Sequence, residues 1–268
     1  MLYKSIPLFR SALLDIDKNW TYDEIVKYTA DVKKWGESYA VTTKITLFSN
    51  LRKRIEAVFG KNSDEYRHMR LLAMTEEERK TRDRITAENL VNANSNLIIL
   101  KVSDFNNLID KIGELPSLVR DILYCCMLSG ARTIEIISDK FKFEKSNKDG
   151  YIVQIGASKT KNEIKIDKPL FTTYKSFNTR LQRVRGAVDQ SLSNIELNQK
   201  YGKILVNGIK KLDIDYIKKP HDLRRVYAAI AYYRFGKYKK SQQQYYSEIL
   251  GHSTTGSAQH YTQFVFRG

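Results

Sequence analysis

Apolar residues recur at helical spacing along most of this chain, and the pattern breaks once, in the middle. Between Trp20 and Trp35 the series Ile25, Val26, Tyr28, Val32, Trp35 has Asp and Lys between its members and predicts an amphipathic helix stopped at Gly36. Leu47, Leu51, Ile55 and Val58 line a second helix closed by Gly60, with Lys44, Arg52, Lys53 and Arg54 on the rest of its surface. Ser63 can cap a third helix. From Thr75 to about Asn96 the chain is too polar to build a core, and Thr75 with Glu78 forms a plausible capping box on an exposed helix or linker. A domain boundary is therefore placed near residue 98.

Beyond it, Ser103 to Ile112 and Pro116-Ser117 to Leu128 read as helices, the second stopped by Ser129-Gly130. The period then changes. Phe141 to Glu144, Tyr151 to Ile155 and Ile164 to Ile166 predict three short strands, joined by Asn147-Lys148-Asp149-Gly150 and by Thr160-Lys161-Asn162. Helices return at 172–185, 193–206, 222–235 and 242–250. The expectation is a mainly α protein with a small antiparallel sheet (α+β).

The 268 residues, 42% of them hydrophobic, suffice for real cores. Charge adds direction to this picture. Of the net +16, residues 1–100 hold 17 Lys+Arg against 14 Asp+Glu, and residues 101–268 hold 29 against 16. That excess favours an anionic partner, for which nucleic acid is the usual candidate in a globular chain. Cys125 and Cys126 adjoin within an apolar run, where a mutual disulfide would be strained, so they read as core thiols in a reducing compartment. No stretch reaches the ~18 apolar residues of a membrane span, and the N-terminus lacks a signal peptide's apolar core. An intracellular protein associated with DNA, with no membrane partner, is expected.

The last quarter carries the candidate chemistry. His221-Asp222-Leu223-Arg224 is followed by Leu250-Gly251-His252 and then by Tyr261, and three of the four histidines fall within this stretch. Attack by a phenolic oxygen on a DNA phosphodiester needs a nucleophile, cations for the charge developing on phosphorus, and an acid for the leaving 5′ oxygen. Arginine suits the second task, because its planar fork stays charged and donates paired hydrogen bonds to phosphate oxygens. Arg224 stands in the first turn of a predicted helix, and Arg132 follows a glycine break, also at a helix start, where anions are favoured. A free phenol with a pKa of about 10 is a poor nucleophile near neutrality, so it needs a base or a cationic site, and His221, His252 and His260 are candidates. His221 could instead cap the helix it opens, His260 could be a surface residue, and Tyr245 and Tyr246 compete with Tyr261 as the nucleophile.

These segments resemble the tyrosine recombinases, the family that includes phage integrases, chromosome-dimer resolvases and telomere resolvases. Ser129-Gly130-Ala131-Arg132-Thr133-Ile134-Glu135 resembles the box of the first catalytic arginine. His221-Asp222-Leu223-Arg224 resembles the His-x-x-Arg box, Leu250-Gly251-His252 the second histidine box, and Tyr261 the nucleophile. The resemblance spans roughly residues 103–265. It implies that Tyr261 forms a 3′-phosphotyrosyl bond while Arg132, Arg224, His221 and His252 bind the scissile phosphate. It also implies that one lysine of the strand region, Lys159 or its rival Lys161, protonates the leaving oxygen. No metal or cofactor is needed, since arginine and lysine supply the charge neutralisation.

The implied architecture is a C-shaped two-domain clamp on double-stranded DNA. Residues 1–98 would form a helical core-DNA-binding domain and 99–268 the catalytic domain, working as a dimer or higher oligomer. Lys44, Arg52, Lys53, Arg54, Lys161 and Arg225 are the expected DNA contacts. Two features lean toward the telomere resolvases, which turn a palindromic junction into hairpin ends: His252 stands 28 positions after Arg224, and seven residues follow Tyr261. An integrase exchanging strands between two sites is the alternative, ahead of a catalytically silent DNA-binding protein and a type IB topoisomerase.

Overall fold

The computed structural model describes residues 6–158, 164–252, 258–259 and 261–267. The chain divides into two compact units, Met1–Asn89 and Leu90–Gly268.

The first unit is built from helices α1 (Ile6–Asp15), α2 (Tyr22–Gly36), α3 (Val41–Phe59) and α4 (Asp64–His68), followed by a 3-10 turn at Met69–Leu72 and the start of α5 (Glu76–Ser95). Ile25, Tyr28, Val32 and Trp35 of α2 meet Leu47, Phe48, Leu51 and Ile55 of α3 in one core with Phe9, Leu13 and Ile16. Thr21 and Glu24 form a reciprocal capping box at the start of α2, and Ser63 Oγ accepts from the Tyr66 amide to open α4. At the start of α5, Glu78 Oε2 accepts from the Thr75 amide at 3.0 Å and Thr75 Oγ1 from the Glu78 amide at 3.2 Å. α1 was not expected, because its apolar residues run together rather than marking a stripe.

The second unit begins with the remainder of α5 and with β1 (Ile98–Leu100), which pairs in parallel with β5 (Phe264–Phe266) at the far end of the chain. That pairing ties residues 98–100 to this unit, so the division falls within α5, ahead of residue 98. α6 (Val102–Gly113), α7 (Ser117–Ser129) and the short α8 (Thr133–Ile137) lead into a three-stranded antiparallel sheet. Its strands are β2 (Lys142–Lys145), β3 (Tyr151–Ile155) and β4 (Lys165–Pro169), in the order β2-β3-β4 with Gln154 opposite Ile166 and Ile152 opposite Lys168. β4 extends past the expected Ile164 to Ile166. Then come α9 (Tyr174–Gly186), α10 (Asn194–Lys211), α11 (Pro220–Ala231) and α12 (Gln242–Leu250). The helix expected over 222–235 ends at Ala231 and continues as a π-helical turn, Tyr232–Gly236.

α7 is the hub of this unit. Leu123, Cys126 and Met127 are fully buried, and the helix packs against α9 and α11. Cys125 and Cys126 are free thiols, and burial pushes Cys125 up to about 12, consistent with inert core residues. Among the described residues no helix is long and apolar enough to cross a membrane.

Candidate active site

Two glycines let helix ends pack closely, one on α11 and one on β4. Gly130 ends α7 at φ +64°, and a Cβ there would lie 2.2 Å from the Tyr227 ring, so only glycine lets the turn sit on α11. Gly251 ends α12 at φ +62°, where a Cβ would lie 2.3 Å from Ile166 of β4. Both turns leave the last carbonyls of a helix without helical partners. Arg224 supplies them: its Nη1 donates to Gly130 O and its Nη2 to Leu250 O at 2.5 Å, from a side chain 2% exposed. The carbonyl ends of two helices are suitable places for a buried cation. The Arg box, the His-x-x-Arg box and the second histidine box are thus joined through one guanidinium.

The third arm of that guanidinium, Nε, donates to Tyr261 Oη at 3.3 Å. On its other side Tyr261 Oη lies 2.9 Å from His221 Nε2. Pro220 occupies the first position of α11, and Asp222 closes the helix start by accepting from the Lys218 and Lys219 amides at 2.9 and 3.0 Å. Asp222 rather than His221 therefore caps the helix, which leaves the imidazole to face the phenol. Burial, followed by the positive charges of Arg224, Arg225, Lys219 and Arg132, pulls His221 down to about 3. A neutral imidazole can accept the phenolic proton. The His252 ring lies tilted against the phenol, its centroid 5.2 Å from that of Tyr261.

Arg132 shares with Arg224 and His221 a pocket of about 350 Å³, lined also by Thr133, Ser158, Asn194, Asn198 and Pro220. The N-terminal turns of α10 and α11 border it, adding partial positive charge to that of the two arginines. Arg132 Nη1 is held by Glu135 Oε1 at 2.7 Å, and Glu135 also caps α8 by accepting from the Arg132 amide at 2.8 Å. The Glu135 carboxylate is fully buried. Burial alone would raise its pKa, but Arg224, Arg132 and Lys168 outweigh that and hold it at about 2.

The competing phenols are placed differently. Tyr246 is fully buried and accepts from Gln242 Nε2 at 2.7 Å, and burial pushes both it and Tyr245 well above the ordinary range of a phenol. Lys159, Lys161 and His260 lie outside the described residues.

The expected DNA contacts mostly have partners within the protein in the absence of DNA. Lys44 pairs with Glu78 at 2.6 Å, Arg52 donates to Leu72 O at 3.4 Å, and Arg54 donates to Leu14 O and Ile16 O at 2.9 and 2.5 Å. Arg54 thereby fastens the end of α1 to α3. Arg225 pairs with Asp222 at 3.2 Å, and Lys53 alone of the four on α3 is exposed. The cause is local: the stripe beside the apolar face of α3 lies within reach of neighbouring chain ends, whose carbonyls need donors. Conversely, Glu135, Lys168, Gln154, Asn194 and Asn198 were not expected at the site. Glu135 stood three residues after Arg132, a spacing that carries the capping-box signal; the others meet the site only through the fold.

One consequence is a proton state. At pH 5 the His221 ring is expected to remain neutral, since its pKa lies near 3 rather than 6.5. A depressed pKa also means that folding stability is lost as pH falls from 6.5 toward 3, where the unfolded chain binds the proton first. Imidazole ¹⁵N shifts of labelled protein check the first point, and a His221 signal titrating near 6.5 would overturn it.

The fold is shared with solved protelomerases. A TelA variant complexed with a DNA hairpin product superposes with TM-score 0.79 and 17% identity, over 96% of this chain and 86% of that one. TelA covalently complexed with substrate DNA gives 0.78 and 18%, with the same coverage. TelK complexed with substrate DNA gives 0.63 and 15%, over 92% of this chain and 59% of that one. Comparison with curated protein sequences gives no match. Residues 119–264 match the family model of the telomere resolvase ResT/TelK catalytic domain. The chain belongs to that family.

Proposed function

We propose that the chain is a telomere resolvase that cuts double-stranded DNA with Tyr261 and reseals each end as a hairpin. The observation that carries this reading is the phenolic oxygen held between His221 and Arg224, beside a pocket shared with Arg132, in a chain of this family. In the first step Tyr261 Oη bonds to phosphorus as the bond from phosphorus to the 5′ oxygen breaks. The phenolic proton passes to His221 Nε2, and the departing oxygen takes a proton from the strand-region lysine, Lys159 or Lys161. The product is a 3′-phosphotyrosyl bond and a free 5′ hydroxyl. A second transesterification reverses the bond changes, with a 5′ hydroxyl of the facing strand as the attacking group. Arg132 and Arg224 neutralise the phosphorane oxygens, and His252 completes the cradle. The reaction draws on no metal, since fixed cations do that work.

The first unit, up to the division within α5, acts as the core-DNA-binding domain and the second unit as the catalytic domain. A palindromic junction offers the same site on both sides of its axis, so the enzyme works on it as a dimer or higher oligomer. Hairpin formation is favoured over exchange between two sites by the hairpin product bound to the similar TelA variant.

The test is incubation in EDTA with a plasmid carrying the inverted-repeat junction of the replicon that bears the gene. Resolution is expected to give linear DNA whose ends re-anneal at once after boiling and run as closed strands on denaturing gels. Flanks exchanged between two labelled substrates would instead establish an integrase.

A further inference from the structure

Among the described residues Lys168 is the one fully buried lysine. It stands on the core face of β4 with Ile166, the side chain that packs against Gly251. The neighbouring Pro169 O accepts from Tyr227 Oη of α11 at 2.7 Å, so this strand supports both helices of the site. The Lys168 ammonium donates to Gln154 Oε1 at 2.5 Å, and the Gln154 amide, 1% exposed, donates in turn to Gly156 O at 3.0 Å. It interacts electrostatically with Arg224 of α11, with Glu135 and Arg132 at α8, and with Cys126 of α7. An apolar side chain of similar length would fill this volume without desolvating a charge, so packing alone does not account for a lysine here.

The arithmetic of charge does. Glu135 is the one buried carboxylate facing the two guanidiniums and this ammonium, which leaves the cluster at +1 with Lys168 neutral and +2 with it protonated. A phosphodiester carries one negative charge and a five-coordinate phosphorane two. We propose that Lys168 is a positioning residue for phosphoryl transfer at this pocket, a buried ammonium whose charge follows that of the phosphate held by Arg132 and Arg224. The inference rests on the reading of the pocket as a phosphate site.

Burial first, and then the positive charge of Arg224, bring Lys168 down to about 7, with Glu135 opposing them. An anion entering between the cations offsets the repulsion from Arg224. The protonated form is then favoured, and the proton comes from bulk solvent as the pocket fills. Full charge on Lys168 also steadies Glu135, which orients Arg132.

Two measurements test this. In the full chain labelled with ¹³C at lysine Cε, one resonance, missing from Lys168→Met, is expected to titrate near 7. With orthovanadate, a five-coordinate mimic, its midpoint should rise about tenfold in proton affinity or more. Lysine carbons that all titrate above about 9, or a midpoint indifferent to vanadate, would overturn the proposal. In adduct-formation kinetics on the junction plasmid, Lys168→Met is expected to lower the rate about tenfold and remove its fall at alkaline pH. Gln154→Glu, which places a carboxylate against the ammonium, should move that fall upward by about one pH unit. A folded Lys168→Met with wild-type rate and profile would also overturn it, and should that variant not fold, Gln154→Glu and the titration decide. The absence of any adduct from the wild type would count against Tyr261 chemistry instead, leaving the vanadate titration to judge Lys168 separately.

Discussion

Tyr261→Phe is expected to reduce covalent DNA adducts to background, a loss of roughly 10⁴-fold or more, because it removes the atom that bonds to phosphorus. The substitution deletes one oxygen from a ring 3% exposed and leaves Arg224 Nε without its 3.3 Å partner, so the stability cost should be about 1 kcal/mol. Junction DNA should still be bound. Denaturing gels after proteinase digestion, alongside a mobility-shift titration, separate the two properties. Adducts that persist would remove Tyr261 from the mechanism and turn attention to Tyr245 and Tyr246. Their surroundings argue against them: burial pushes both phenols well above the ordinary range, and Tyr246 hydrogen-bonds to Gln242. Tyr261 alone sits between a guanidinium and an imidazole that burial keeps neutral.

That contrast shows what the sequence made legible. The spacing of His221, Arg224, His252 and Tyr261 pointed to this chemistry, and the structure brings their side chains to one place. The amphipathic helices α2 and α3 were readable because their apolar residues keep a 3.6 period and their ends carry Thr, Ser or Gly. β1 and β5 were not, since three residues are too few to show a period and each strand's partner lies at the opposite end of the unit. The partners of the basic stripe on α3 were hidden for a related reason. Lys44, Arg52 and Arg54 look like free cations in one dimension, yet Glu78 and the carbonyls of Leu14, Ile16 and Leu72 fold back onto them. The buried Glu135 and Lys168 were equally hidden, because a charge in a strand or a short helix reads as surface until its partners are known.

Arg224→Lys is expected to lower stability and rate together. Arginine reaches three acceptors from one rigid plane, namely Gly130 O, Leu250 O and Tyr261 Oη. An ammonium keeps the charge but is a compact group on a flexible stem, and it cannot span three sites that the fold holds apart. At least one buried carbonyl then loses its donor, and such a loss costs about 1–3 kcal/mol per group, so the melting temperature should fall clearly. The rate should fall by about 10² or more, since one phosphorane cation is displaced and Tyr261 loses a donor. Binding to DNA draws on many separate phosphate contacts and should be nearly unchanged. Melting curves, a mobility-shift titration and single-turnover adduct formation on one preparation distinguish these effects. Loss of binding in proportion to rate would make Arg224 a general phosphate contact. Wild-type stability with a lost rate would show that the two helix ends are held by other means, with the guanidinium serving the phosphate alone.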